Sequence, residues 1–558
     1  MLRVRPRKAA LIAGLLGLTL FTAACGSGTT TAGAGSGSSS AAGSAAASES
    51  DSAGATPTEG GTLTFAVGND PISLNPSGTG SGNDTLYVTR QLFDSLTEQD
   101  PDTGDLLPWL AESFTASPDA TSFTFSLRRG VTFSDGTALT AESVKATFDD
   151  IVANGADALS AIPYLTGYTG TTVADDRTLT VTFGAPNGSF LQATSSVALA
   201  PVGAATLAVP YAQRGTGPEL VGTGPFTLNH YTKNTEVALD QRADYTWGPA
   251  DRDNTGAAHL DHVVFKIVPE SGVRTGSLES GQVRVIGGVA PQDIKTLSDA
   301  GHPLVVRANP GLAFGISPVE SRPIVADDNV RKAIALAINP TDVRDVALND
   351  SFAVATSSLA HNTPGWSDQT SRIVFDPDQA GTLLDQAGWA KGADGIREKD
   401  GQQLHLVLAY ISNFGPNQAA VEYIQQQLKD VGIDVELWTG TVPDLRTGLG
   451  QGSFDLVWAN LSRADGDVLR QQFSVTGTNW YKIDDAELEA ALVGQQSTAD
   501  QARRNEYLAT AQQILVEKAY NIPVFELTTV LGTADAVHGV ALGADSRLAP
   551  LTQAFLSD

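Results

Sequence analysis

Along most of the chain the spacing of apolar residues switches between a period of two and a period near 3.6, which predicts strands interleaved with helices. Ser122-Phe-Thr-Phe-Ser-Leu127 sets Phe123, Phe125 and Leu127 on one face of a strand. Asp135-Gly136 then marks a turn, and Val144, Phe148 and Ile151 recur at i, i+4 and i+7 in a helix beginning near Ala141. Asp376-Pro377 is a helix start: an acceptor side chain at the N-cap, then a ring whose missing N–H costs nothing in the first turn. Gly388 is its natural stop. Val421, Ile424, Leu428 and Val431 form another stripe, closed by Gly432, and Ile433, Val435 and Leu437 alternate in a strand directly after it. Helix-then-strand units of this kind predict mixed sheets covered by helices, an α/β body. There is no internal repeat and no second long apolar run.

The first 58 residues follow a different pattern. Arg3, Arg5, Arg7 and Lys8 precede an apolar stretch from Ala9 to Ala24, too short to span a bilayer comfortably and charged at its start as a secretory leader is. It ends in Thr22-Ala23-Ala24-Cys25, which resembles a lipobox with Thr22 where Leu is commoner. Cys25 is the only cysteine, so no internal disulfide can form, and lipidation accounts for both the count and the position. Acyl chains on Cys25, at about 0.8 kcal/mol per buried CH₂, would make the membrane a partner through the anchor. The alternative is an ordinary signal peptide that happens to contain a cysteine. From Gly26 to about Thr58 the chain is mostly Gly, Ser, Ala and Thr with little to bury, which predicts a disordered tether of about 30 Å root-mean-square span.

About 500 residues remain, enough for roughly three average domains or one large two-lobed body. The formal net charge is −27, and removal of the four leader cations makes it four more negative. A surface this acidic excludes nucleic acid as a partner.

A series of segments resembles the peptide/nickel-type, family 5 extracytoplasmic solute-binding proteins of ABC importers. The series begins with Gly61-Thr-Leu-Thr-Phe65, Pro71-Ile-Ser-Leu-Asn-Pro76, Leu92-Phe-Asp-Ser-Leu96 and Leu110-Ala-Glu-Ser-Phe114. Its most specific stretch runs from Phe123 through Leu127-Arg-Arg-Gly-Val-Thr-Phe-Ser-Asp-Gly136 to Leu139-Thr-Ala-Glu-Ser-Val-Lys145. Gly222-Thr-Gly-Pro-Phe226, Asn329-Val-Arg-Lys-Ala-Ile334, Phe375-Asp-Pro-Asp-Gln-Ala380, Phe454-Asp-Leu456 and Ile522-Pro-Val524 follow in family order. The resemblance implies a two-lobed, periplasmic-binding-protein-like α/β fold of the class with an extra domain, its mixed sheets joined by a hinge. Mapped onto this chain, residues 1–24 are the leader and 25–58 the lipidated cysteine and linker. Lobe I would hold 59–103, 222–312 and 525–558, with the extra domain at 104–221, and lobe II would hold 313–524. The implied function is capture of a short or modified peptide between the lobes and delivery to ABC permease subunits. The binding protein would be monomeric, outside the cytoplasm and without a cofactor. A metal–chelate or siderophore-like solute, or a sensing role toward a membrane kinase, stands as the alternative within the fold.

Residue chemistry is compatible with binding rather than catalysis. The chain has no Gly-x-Ser-x-Gly, no P-loop and no His-Glu-x-x-His, and Cys25 is committed to lipid. A secreted hydrolase would need a nucleophile–base pair that the sequence does not offer. Gly78-Thr-Gly-Ser-Gly82 lacks the Lys-Ser/Thr ending of a phosphate loop; the family position implies that Gly80 and Gly82 bring backbone close to a ligand, the alternative being a plain surface loop. His259 and His262 stand at a helical spacing but beside a strand pattern, which argues against a metal pair. His361 lies in a loop that approaches the cleft or else is a hydrogen-bonded structural histidine.

The sharpest candidate is Phe454-Asp-Leu-Val-Trp-Ala-Asn-Leu-Ser-Arg-Ala-Asp465. In peptide-binding relatives this strand presents backbone to the ligand and often reads Gly-Trp-x-Ala-Asp-Tyr, whose Asp holds the peptide α-ammonium. Here Leu461 replaces the Trp, and without a gap the acid arrives one residue late, at Asp465. Asn460, Ser462 and Asp465 are thus expected ligand contacts, Asp465 by a charge-assisted bond. The competing reading has Asp465 and Asp467 capping a helix from Val468. Arg463 suits a ligand carboxylate or phosphate, or pairs with Asp465 itself. Trp458, Tyr410, Asn413 and Phe414 are expected to add apolar walls and polar tips.

Overall fold

In the computed structural model, residues 56–557 are described except Ser81 and Pro218, so the leader, Cys25 and nearly all of the tether lie outside the described residues. Three large sheets carry the architecture. The seven-stranded sheet has the spatial order Leu304–Ala308, Thr528–Thr533, Val285–Ile286, Thr62–Val67, His262–Ile267, Glu236–Gln241, Phe226–Thr232. It is mixed, with Thr62–Val67 parallel to both of its neighbours. The five-stranded sheet runs Asp434–Gly440, His405–Ile411, Leu456–Ser462, Gly311–Pro318, Ile522–Phe525 and is also mixed. A four-stranded antiparallel sheet is built from Ala111–Ala116, Ser122–Leu127, Thr178–Phe183 and Tyr168–Asp175.

Local sequence accounts for these elements. Phe123, Phe125 and Leu127 alternate into the core of the four-stranded sheet. The covering helix Ala141–Asn154 starts at a capping box, in which Thr140 accepts from the Ser143 backbone N–H and the Ser143 side chain accepts from that of Thr140. Its Phe148 meets Phe190 edge-on at 6.2 Å. Asp376 caps helix Pro377–Gln386 by accepting from Gln379 N at 2.8 Å. Helix Asn417–Asp430 buries Val421, Ile424 and Leu428 against the five-stranded sheet. The strand expected from Ile433 begins one residue later, at Asp434; Ile433 and Val435 are buried, whereas Leu437 is only half-buried.

Two short crossings join the seven- and five-stranded sheets. The chain leaves Leu304–Ala308 for Gly311–Pro318 through Asn309-Pro310 and returns from Ile522–Phe525 to Thr528–Thr533 through Glu526-Leu527. The crossings lie side by side: Asn309 N donates to the Leu527 carbonyl at 2.7 Å, and Thr529 Oγ1 donates to Asn309 Oδ1 at 2.8 Å. Beside them Glu526, 1% exposed in its side chain, accepts from His361 N at 2.9 Å and pairs with His361 Nδ1 at 2.5 Å. His361 therefore takes its structural role and does not line the cavity described below.

Candidate functional site

A cavity of about 680 Å³ opens where the three sheets' surroundings meet. One wall comes from Thr79 and Gly80, from helix Asn83–Leu92 through Leu86 and Arg90, and from Gln99, Ser160, Tyr164 and Gln192. The opposite wall is the end of strand Leu456–Ser462 with Ile411, Arg446, Gln471 and Trp480, and a third side is the loop Gly543–Pro550. Such a volume is normal for a small-solute site.

The strand end leaves one backbone edge without a strand partner among the described residues. Leu456–Ser462 pairs along one side with Gly311–Pro318, from Pro318↔Leu456 to Gly311↔Ser462. On its other side the parallel partner His405–Ile411 is in register only at Leu456 and Val457. Among the described residues no strand takes up that edge beyond Val457, and Ala459, Asn460, Leu461 and Ser462 all line the cavity. An edge with free N–H and C=O groups can pair with an extended ligand main chain.

Of the residues expected from sequence, Gly80, Asn413, Asn460, Ser462 and Arg463 line this cavity together. Gly80 adopts φ +71°, where a side chain would be strained, and its N–H donates to Ser160 Oγ at 2.7 Å. Gly82 is not in the lining; it is the N-cap residue of helix Asn83–Leu92, which follows the glycine-rich segment without a side-chain cap. Trp458, Tyr410 and Phe414 also belong elsewhere. Trp458 is 2% exposed, stacks at 5.4 Å on Phe314, and donates its indole N–H to Asn417 Oδ1 at 3.0 Å. Tyr410 is buried in the same core, and Phe414 stacks on the same Phe314 at 5.7 Å. Trp458 and Tyr410 are packing residues because the strand pleat sends them to the helix-covered face, whereas Phe414 packs part-buried on that core from the turn before helix Asn417–Asp430.

Asp465 requires the largest correction. Its carboxylate accepts from Arg504 Nη2 at 2.8 Å and Nη1 at 3.1 Å, and from the Asp467 backbone N–H at 2.7 Å. Both partners are buried and Asp465 is absent from the lining. Burial works against the Arg504 charge, but the Asp465 carboxylate more than offsets it and holds Arg504 above its ordinary range. Nothing in the sequence around Asp465 announces a partner 39 residues away. The helix-cap reading is met only in part: Asp467 occupies the N-cap position of Val468–Phe473 without a capping bond from its side chain, which instead pairs with Arg470 at 2.7 Å. Arg463 donates to the Ser462 carbonyl at 3.1 Å and has no ion pair with Asp465. His259 and His262 go to separate carboxylates, Glu59 and Asp240, each at 2.8 Å.

Sequence reasoning missed the contribution of Arg446, Trp480 and Arg547. Arg446 lies over the Trp480 ring at 5.5 Å, and Arg547 closes a turn in which Gly543 N donates to its carbonyl at 2.8 Å. The Gly/Asp/Ser-rich run between Leu542 and Leu548 is the one local signal of that turn. Direct contacts join the segments on either side of the cavity. Gln99 Nε2 donates to the Ala464 carbonyl at 3.1 Å. Gly188 N donates to the Gln496 carbonyl at 2.9 Å, so close that a Cβ at Gly188 would stand 2.8 Å from the carbonyl oxygens of Gln495 and Thr498.

Comparison with known proteins gives a consistent picture. The profile of the bacterial extracellular solute-binding proteins, family 5 Middle, matches residues 105–481. The dipeptide-binding protein of Pseudomonas aeruginosa is 24% identical over 514 residues, covering 87% of this chain and 93% of that protein. Among solved structures, NikA of Brucella suis in complex with Fe(III)-EDTA superposes with a TM-score of 0.77 at 24% identity, covering 89% of this chain and all of that one. DppA of Helicobacter pylori in complex with the peptide STSA gives 0.71 at 23% identity, covering 90% and 99%.

Proposed function

The chain belongs to the family 5 bacterial extracellular solute-binding proteins, and from that premise we propose that it captures a short or modified peptide in the cavity and hands it to an ABC permease. The family's work is solute binding for import, outside the cytoplasm, rather than catalysis. The half-paired edge of Leu456–Ser462 facing the cavity carries the peptide reading. A peptide main chain laid along Ala459–Ser462 would complete the hydrogen bonds that His405–Ile411 leaves open. Several relatives bear names of peptide-binding proteins, which agrees with this class. The two two-residue crossings at Asn309-Pro310 and Glu526-Leu527 are a suitable hinge, about which lobes with the boundaries set out above would close on the peptide. Lipid on Cys25 would hold the protein, as a monomer, at the outer face of the membrane; among the described residues no helix is long and apolar enough to cross one.

Titration of the purified protein with defined di- and tripeptides, followed by intrinsic tryptophan fluorescence and calorimetry, tests the proposal. Micromolar affinity, roughly −8 kcal/mol, is expected for at least one peptide class, with a fall in the radius of gyration by small-angle scattering. Failure of every peptide to bind, while a non-peptide solute binds and closes the protein, removes the peptide assignment.

A further inference from the structure

The charge of the cavity runs opposite to that of the molecule. The chain carries 35 basic and 62 acidic residues, yet the lining holds five arginines and two acids, Glu98 and Asp545. One charge of each sign is neutralised from outside the lining: Arg252 pairs with Glu98 at 3.0 Å, and Asp467 with Arg470 at 2.7 Å. Arg90, Arg446, Arg463 and Arg547 then stand against Asp545 alone. Asp465, just past the strand end, is paired with Arg504 and lies outside the lining.

Arg463 and Arg547 have no carboxylate partner among the described residues, and Arg547 is buried. Arg547 is 7% exposed, and its Nη1 donates to the Asp545 carbonyl at 2.7 Å, but its Nε–H has no acceptor among the described residues. The Asp545 carboxylate is turned to the Arg547 backbone N–H instead, at 3.0 Å. A buried guanidinium N–H left unpaired is destabilising. Arg463 donates only to the carbonyl beside it, and among the described residues neither it nor Arg547 has a carboxylate within ion-pair distance. A guanidinium takes a carboxylate in a two-pronged fork, and inside an enclosed cavity that attraction is screened less than at a surface.

We infer that the solute is net anionic, with a carboxylate received by Arg463 at the strand end and Arg547 on the facing loop. This rests on the cavity being the solute site, as proposed above, but not on the solute being a peptide. The cavity would then select against net-cationic peptides, which an acidic surface alone would attract.

Isothermal titration of the full chain with three panels tests the inference. The first is free-acid tripeptides containing Glu, the second the same tripeptides with Gln and an amidated C-terminus, the third succinate and citrate. The acidic peptides are expected to bind at least tenfold more tightly than the amides, with the difference shrinking as salt rises. Arg463→Gln, a half-exposed position whose change should leave the melting temperature alone, is expected to lower that preference about tenfold. Arg547→Gln should do the same if it folds. Equal binding of acid and amide panels overturns the anionic assignment and leaves the peptide reading standing. Binding of citrate or succinate with no peptide supports the anionic assignment and removes the peptide reading. Absence of binding in all three panels, or an unchanged preference in a folded Arg463→Gln protein, overturns it.

Discussion

Asp465→Asn separates a ligand contact from a structural ion pair. In the structure Asp465 neutralises Arg504, which is 3% exposed and also donates to the Gln495 backbone carbonyl at 3.1 Å, Gln495 Oε1 at 3.0 Å and Gln501 Oε1 at 3.3 Å. Removing one member of a buried pair costs about 3–5 kcal/mol, because the other charge stays desolvated and uncompensated. Asn keeps one acceptor for the Asp467 N–H or for Arg504, and Asp467 supplies a second negative charge near the guanidinium. The lower end, about 3 kcal/mol, is therefore expected. If the part of the chain around the five-stranded sheet unfolds as one unit of about 200 residues, the loss is a fall in melting temperature of roughly 6–12 °C. Calorimetric melting and peptide titration on the same preparation give the answer. Affinity should stay within about twofold of wild type, since Asp465 does not line the cavity. The double change Asp465→Leu with Arg504→Met should recover much of the lost stability, as buried pairs replaced by apolar side chains often do. A variant that melts like wild type but binds a cationic ligand tenfold more weakly would refute the whole argument and return Asp465 to the site.

Three other outcomes follow. His361 is held above its ordinary pKa by its hydrogen bond to Glu526, so the pair's contribution is complete below the unfolded value of about 6.5 and is lost as pH rises through the folded value. With His361 half-exposed this should amount to no more than about 1 kcal/mol, read as a fall in melting temperature between pH 5.5 and 8.5 that is smaller in His361→Gln; an equal fall in both proteins would show the pair to be inert. Burial raises the Asp94 carboxyl to about 7 despite the hydrogen bond from Trp247 at 3.0 Å, so its neutral form favours the folded state and that advantage disappears as pH rises through about 7. The decline, up to about 4 kcal/mol from pH 4 to 7 and about 3 kcal/mol of it above pH 5, should flatten in Asp94→Asn, and chemical denaturation giving both proteins the same loss of stability between pH 5 and 8 would exclude it. Cys25→Ser should abolish lipid labelling and release the protein from the membrane; unchanged labelling and retention would show that Cys25 is not the attachment site.

The elements were legible in the sequence wherever the signal was local. Phe123, Phe125 and Leu127 announce their strand by period alone, and Asp376-Pro377 starts a helix because both capping chemistry and ring geometry act within one turn. The cavity lining was legible only where backbone position mattered: Asn460, Ser462 and Arg463 line it because they stand at the strand end, whatever their side chains do. Aromatic residues misled, since Trp458 and Tyr410 look the same in a cleft wall and in a core, and only the pleat decides between them. Asp465 misled for a different reason. Its partner Arg504 comes from a distant helix, Gln501–Glu517, and no periodicity or spacing reports a pairing of that kind. Arg547 was invisible because a loop near the chain end reaches the cavity only through tertiary folding.

The clasp at Gly188 bears on how this protein would respond to scarcity. Its backbone bond to Gln496 is one of several contacts that join the segments on either side of the cavity, and it lies outside the cavity lining. A protein whose closed form is already part-populated presents its site at an apparent dissociation constant equal to the intrinsic one divided by the closed fraction. Loosening the clasp would therefore raise the concentration at which uptake begins, and tightening it would lower that threshold while slowing release to the permease. The sensitivity of import would thus be set partly by a glycine that no solute ever meets.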